Sequence, residues 1–331
     1  MANNVGYKQW LRKCRLIIKS KTAGTIDLSM LRIAFKIEKT TSDTPNLSQI
    51  SIMNPAPTLI TSIKNGDEVT LEAGYENGNF GMIFSGEVVQ AYKKIQDGTD
   101  RIVDILCSDG DQFLNKKFTF KTVAKGTTAE DRIGTLTEGE AVGKIGKEVK
   151  KQATLPRGKT YFGQSSKYLN KMATGSDSIM YVDNGKINVV GADDYDDSNP
   201  VDLRPDTGLI DEPQQTDDGI TAKCLLNPSI KLNGMVHIDP TWIREKRISK
   251  ADEATPAGLY AEGKYRVVKI TYSGDTRGED WYCSFDASTQ DGKNAAGNAN
   301  SPTKNGSTSG GKSRNASVGY QMMNPNWAKG K

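Results

Sequence analysis

A mainly β protein with a smaller α+β part is the fold class that this sequence predicts, and three observations predict it. Apolar and polar residues alternate at period two through most of the first 125 residues, and again after Val201. Turn signals such as KNGD, ENGN and QDGT separate the alternating runs at short intervals. The helical signal is confined to the stretch between these two regions.

In LRIAFKIEK, Leu31, Ile33, Phe35 and Ile37 share one face, while Arg32, Lys36 and Glu38 take the other. EVTLEAGY repeats the pattern with Val69, Leu71, Ala73 and Tyr75. GMIFSGEVVQAY, DRIVDILCS and KKFTFKTV follow, which predicts a compact β-barrel or sandwich. The character then changes. Thr128 followed three residues later by Asp131 is a capping arrangement, and the glycines beyond it argue against one long helix. GQSSKYLNKMATGS predicts a short helix with Tyr168, Leu169 and Met172 at helical spacing. SIMYVDNGKINVVG predicts a hairpin on an Asn184-Gly185 turn, which suits two residues with positive φ.

From Val201 the sheet signal returns in GITAKCLLNPSIKLNGMVHID, GKYRVVKITYSGD and DWYCSFDA, where Trp281, Cys283 and Phe285 share one side. The expected division is a first β-barrel over 1–124, a helical linker and small α+β domain over 125–200, a second barrel over 201–290, and a tail over 291–331. The tail is rich in Gly, Ser and Asn and cannot build a core, which predicts a flexible segment. Its end carries Tyr320, Met322, Met323 and Trp327, the expected partner-binding residues of a tethered docking peptide.

Composition and charge limit the function classes. A quarter of the 331 residues are charged and 36 % are apolar, which fits a soluble globular chain. No stretch approaches the roughly 20 apolar residues of a membrane span. The N-terminus lacks a signal-peptide core, so synthesis in the cytosol without secretion is expected. The net charge of +4 hides three blocks. Residues 1–21 carry six Lys/Arg and no acid, residues 183–218 carry eleven acids against Lys186 and Arg204, and residues 291–331 carry six basic residues against Asp291. Such blocks suit a protein that meets different surfaces in different places.

Chemistry finds little support. GSTSGGKS (306–313) spells a phosphate-loop pattern, but no strand runs into it and no amphipathic helix follows, so no nucleotide cofactor is expected. His237 is the sole histidine and sits in a strand-like run with no nucleophile elbow anywhere, so no catalytic residues are assigned. The four cysteines are dispersed, without a C-x-x-C pair, and are expected as buried thiols rather than metal ligands. Asp193, Asp194, Asp196 and Asp197 lack the glycine and closing glutamate of a calcium loop. No metal and no cofactor are expected.

Three segments carry a resemblance. They are NLSQISIMNPAP with the following IKNGDEVTLEAGYENGNFGMIFSGEVVQA, then TGLIDEPQQTDDGITAKCLLNPSIKLNGMVHID (207–239), then GDTRGEDWYCSFDA (274–287). In this order they resemble the baseplate hub proteins of contractile-tailed bacteriophages and related prophage particles. Hubs of this type often carry glycine at the position of Asp211, so the chain departs from the pattern at that turn. The resemblance implies two tail-tube-like β-barrels joined by a small α+β domain. It also implies a structural, non-enzymatic homotrimer, a symmetry adaptor between the hexameric tail tube and the trimeric membrane-piercing spike, with a channel for DNA. The implied partners are further copies of the chain, the tail tube protein and the central spike protein, with baseplate wedge and tape measure proteins as additional contacts. Neither sequence-specific nucleic-acid binding nor stable membrane insertion is implied, and the implied location is the virion tail baseplate after assembly in the host cytoplasm. The acidic 183–218 region would face either the channel or the outer surface. A distal tail protein of a non-contractile phage, a hub of a phage-like injection system, and a cell-wall-degrading tail enzyme are the alternatives.

Overall fold

A computed structural model describes residues 9–21, 23–96, 100–191, 196–216, 219–243 and 263–289. The chain begins with β1 (Arg12–Ser20), β2 (Gly24–Asp27), β3 (Arg32–Thr40) and β4 (Asn46–Met53), then the short helix α1 (Pro57–Ser62). β5 (Glu68–Tyr75), the long β6 (Phe80–Gln96) and β7 (Asp100–Asp109) complete the first run of strands. A π-helical turn (Gln112–Lys116) leads to β8 (Phe118–Val123), α2 (Ala129–Leu136), β9 (Ala141–Ile145) and α3 (Lys147–Lys150). β10 (Lys159–Gln164), α4 (Ser165–Thr174), β11 (Ser178–Asp183) and β12 (Lys186–Gly191) follow. The last run holds β13 (Asp196–Asp202), β14 (Leu209–Gln215), β15 (Gly219–Leu225), β16 (Gly234–His237), β17 (Lys264–Asp275) and β18 (Trp281–Thr289). The protein is mainly β with a smaller α+β part, as the alternation predicts.

One 13-stranded sheet joins the first and last runs in the order β14-β15-β18-β17-β3-β4-β7-β6-β5-β1-β2, with β13 and β16 attached beside β17. The two halves meet where β17 pairs antiparallel with β3, from Lys269 opposite Thr40 to Asp275 opposite Ala34. Strands far apart in sequence thus share one antiparallel hydrogen-bonded ladder. The inward residues read from the alternation fill the core: Ile33, Phe35, Ile37, Val69, Leu71, Ala73, Trp281, Cys283 and Phe285 are all buried. A single apolar cluster runs through both halves. β1 lies in the segment read above for its charge, and two of its cations are matched across the ladder: Arg15 pairs with Glu72 and Lys19 with Glu68 on β5.

The path of strands curls back upon itself. Arg12, on β1, donates to the carbonyls of Asp275, Gly278 and Glu279 in the loop between β17 and β18, and its guanidinium lies 5.6 Å from the Trp281 ring. Arg32 clasps Asp275 from the other side with Nη2 2.7 Å from Oδ2. Gly274 permits this closure, because a β-carbon there would stand 2.4 Å from the Phe35 ring and 2.9 Å from Trp281.

The α+β part has its own core of Phe113, Leu136, Val149, Tyr161, Leu169, Met172 and Val189. Thr128 and Asp131 form the predicted capping box of α2, and the helix ends after two turns. Leu169 and Met172 of α4 are buried, while the Tyr168 hydroxyl donates to the Phe162 carbonyl. β11 and β12 form the predicted hairpin with Asn184 at φ 51° and Gly185 at φ 73°. β9 adds a third strand alongside β12, and β8 pairs with β10 alone. Among the described residues no helix is long and apolar enough to cross a membrane.

Candidate functional site

The residues singled out for chemistry do not converge. His237 is half-exposed on β16, with Nδ1 3.0 Å from Asp202 Oδ1 on the neighbouring β13, and Asp202 also pairs with Arg204. The contact ties two strands together and places no nucleophile beside the imidazole. Asp196 is exposed on β13, whereas Asp193 and Asp194 lie outside the described residues. Among the described residues no group of three or more His, Cys, Asp or Glu is placed to hold a metal ion. The segment 306–313 and the expected partner-binding residues Tyr320, Met322, Met323 and Trp327 also lie outside the described residues.

The cysteines behave as packing groups. Cys107, Cys224 and Cys283 are buried and Cys14 is half-buried. Burial pushes the thiols of Cys14 and Cys107 up to about 12, and burial beside Cys224 raises Cys283 well above its ordinary value. Thiolate, the reactive form, is therefore suppressed at neutral pH. Less than one thiol per chain is expected to react with an aromatic disulfide reagent at pH 8 in native protein, and all four after denaturation. Rapid native labelling of two or more would contradict this packing.

What the structure builds with most care is a buried polar joint between the α+β part and the large sheet. The β11–β12 turn is inserted against the ends of β3, β4 and β7 and against β6 at Ser85. Lys39, buried on β3, donates to Asp183 Oδ1 at 2.6 Å and to Asn184 Oδ1 at 2.7 Å. Asn184 Oδ1 also accepts from the Ser85 amide of β6. Asp109, fully buried at the end of β7, accepts from the amides of Asn184 at 2.6 Å and Gly185 at 2.8 Å. Asn46 of β4 donates to the Val182 carbonyl. These polar contacts of the turn reach four strands, β3, β4, β6 and β7, which fixes the orientation of the insert.

Burial pushes the Asp109 carboxyl up to about 6, against the opposing pull of Lys39 and the Gly185 amide. A carboxyl raised above its unfolded value near 3.8 holds its proton more tightly in the folded protein. Its stabilising effect is present below that value and is lost as pH rises towards 6. In Asp109→Asn the group cannot ionise, so stability relative to wild type is expected to rise between pH 4 and pH 6, by on the order of 2–3 kcal/mol. Denaturant titrations of both proteins across this range check it, and a pH-independent difference would contradict it.

Surface features complete the inventory. Asp202, Asp206, Asp211 and Glu212 are exposed along β13, β14 and their connection. Asp211 takes φ 61° in an irregularity of the β14–β15 ladder, a left-handed geometry that glycine favours and aspartate tolerates. The departure from the hub pattern at this position therefore leaves a left-handed turn in place. On the α+β part, Phe118, Phe120 and Phe162 stand exposed together.

The chain is curled and mainly β, and its buried polar contacts fix the α+β part against the large sheet. Residues 31–242 match the family model described as baseplate hub gp41. That match covers well over half of the chain, which belongs to this family of structural phage-tail hub proteins, components of the virion tail. No curated protein matches the sequence significantly. Among solved structures, the fold is similar to the 43 kDa tail protein of prophage MuSo2 from Shewanella oneidensis, at 9 % identity and TM-score 0.55, covering 84 % of this chain and 99 % of that one. It is also similar to a tail protein from Neisseria meningitidis MC58, at 10 % identity and TM-score 0.54, covering 87 % and 99 %. A chain of a PdpA–VgrG complex is also similar in fold, at 8 % identity and TM-score 0.55, covering 88 % of this chain and 67 % of that one.

Proposed function

We propose that the chain is a homotrimeric symmetry adaptor at the tail tip, joining the hexameric tail tube to a trimeric spike around a channel for DNA. The observation that carries this is the β3–β17 junction, which fuses two sheet halves into one unit in every chain. Three such chains would present six halves to a sixfold tube while keeping threefold symmetry towards a spike. The protein acts by binding, with no catalytic step, and is assembled in the host cytoplasm. The acidic strip along β13 and β14 lines the channel in this reading, where it repels the phosphate backbone of passing DNA. Tyr320, Met322, Met323 and Trp327 form a docking segment that extends onto a partner in the tail tip. Native mass spectrometry of the purified chain at micromolar concentration tests the stoichiometry: a trimer is expected, and a persistent monomer would contradict it. The fold shared with the PdpA–VgrG complex supports a second reading, a hub of a phage-like injection system.

A further inference from the structure

β8 and β10 form a two-stranded ribbon whose faces differ sharply. Its inner face buries Thr119 and Tyr161, with the Thr119 and Ser165 hydroxyls 2.7 Å apart. Its outer face carries Phe118, Phe120 and Thr122 from β8, and Thr160 and Phe162 from β10. The three phenylalanines are 54 %, 63 % and 75 % exposed. They nevertheless form an ordered cluster: Phe118 and Phe120 stack with centroids 6.4 Å apart, and Phe120 meets Phe162 edge-on at 4.9 Å. Thr122 and Thr160 bond to each other at 2.9 Å, so the outer face bears no charge. Among the described residues neither strand pairs with a third strand; on β10 the Phe162 amide and carbonyl are bonded to the Tyr168 hydroxyl, so the edge left open for a strand is that of β8.

We propose that this face is the receptor for the chain's own C-terminal segment 320–327, YQMMNPNW, from the same or a neighbouring copy. The inference rests on the reading of that segment as a docking peptide and names its partner. Three observations select this occupant. The first is area: three phenylalanines this open present roughly 400 Å² of apolar surface. One side of a stable subunit interface needs about twice that, whereas a short peptide is well matched to it. The second is chemistry. Tyr320, Met322, Met323 and Trp327 are the only aromatic or methionine residues after Thr289, and the eight-residue segment holding them is uncharged, like the face. Thioether and indole groups make favourable contacts with exposed phenyl rings, and the open β8 edge accepts an extended peptide through its backbone.

The third is reach. β18 ends at Thr289, beside the pair of Ser288 with Arg266, and Arg266 approaches the Gly191 carbonyl where β12 ends. The chain therefore leaves the sheet next to the α+β part that carries the ribbon. The 30 residues from 290 to 319 span up to roughly 100 Å when extended, so length does not limit the contact.

A photo-reactive benzoylphenylalanine placed at Trp327 of the full chain tests the proposal. Crosslinks are expected on peptides containing 118–123 and 159–164, within one chain or between two. The double variant Phe120→Ser/Phe162→Ser should reduce their yield about tenfold. Both side chains are exposed, so its thermal midpoint should stay close to wild type, and a far-UV spectrum and melting curve confirm that it folds. Crosslinks that map elsewhere on the hub would overturn the receptor while keeping the docking segment. Crosslinks that form only on added spike protein would also overturn the receptor and keep the segment. A Trp327 that crosslinks to nothing, with or without spike protein, would overturn both.

Discussion

Replacing Lys39 with methionine is expected to destabilise the protein by about 3–5 kcal/mol, the largest loss from any single side chain at the buried joint. Methionine preserves most of the volume, so packing changes little. It leaves the partly buried Asp183 without its cationic partner and removes one of the donors to Asn184 Oδ1, at a point where the lysine itself is buried. The cost is the desolvation of an unpaired charge and falls on the orientation of the α+β part. Denaturant unfolding should show a lower midpoint, and hydrogen exchange should speed up across 178–191 before it does in β4 or β7. A Lys39→Met protein with unchanged stability would mean that the joint contributes nothing.

Gly74→Ala is expected to be at least as damaging, by more than about 3 kcal/mol. Gly74 holds φ 152°, and a β-carbon there would stand 2.0 Å from the Asn79 carbonyl oxygen and 2.7 Å from the Phe80 α-carbon. Both are backbone atoms of the tight connection between β5 and β6, so no rotamer change relieves the clash. The same connection contacts the second half of the sheet, because Asn79 donates to Asn227 Oδ1 and Gly81 lies against Pro228. Displacing it therefore disturbs both halves. Soluble expression and the thermal midpoint are the readouts, and a variant that melts within a degree or two of wild type would contradict the geometry.

The architecture was legible where one face of a strand is buried. Alternation placed Ile33, Phe35, Ile37, Trp281, Cys283 and Phe285 in the core, and the Asn184-Gly185 dipeptide announced a turn whose backbone is left-handed at both residues. The junction of β3 with β17 was not legible, since no local signal records which strand pairs with another some 230 residues away. The buried joint left one trace. Lys39 continues the series 31, 33, 35, 37, so it is a charge at an inward position of an otherwise apolar face. Read as an inward charge, it calls for a buried partner, although Asp183 could not have been named from spacing. The phenylalanines of KKFTFKTV were read as strand periodicity, and only the ribbon's isolation shows that their shared face is uncovered.

The hub reading places three copies of this chain between the tail tube and the spike. Cryo-electron microscopy of intact tail tips measures this directly. The account predicts threefold density for the chain at that junction, with its two sheet halves alternating around a ring of six. Six copies in the ring, or density confined to the outer baseplate away from the channel, would contradict it.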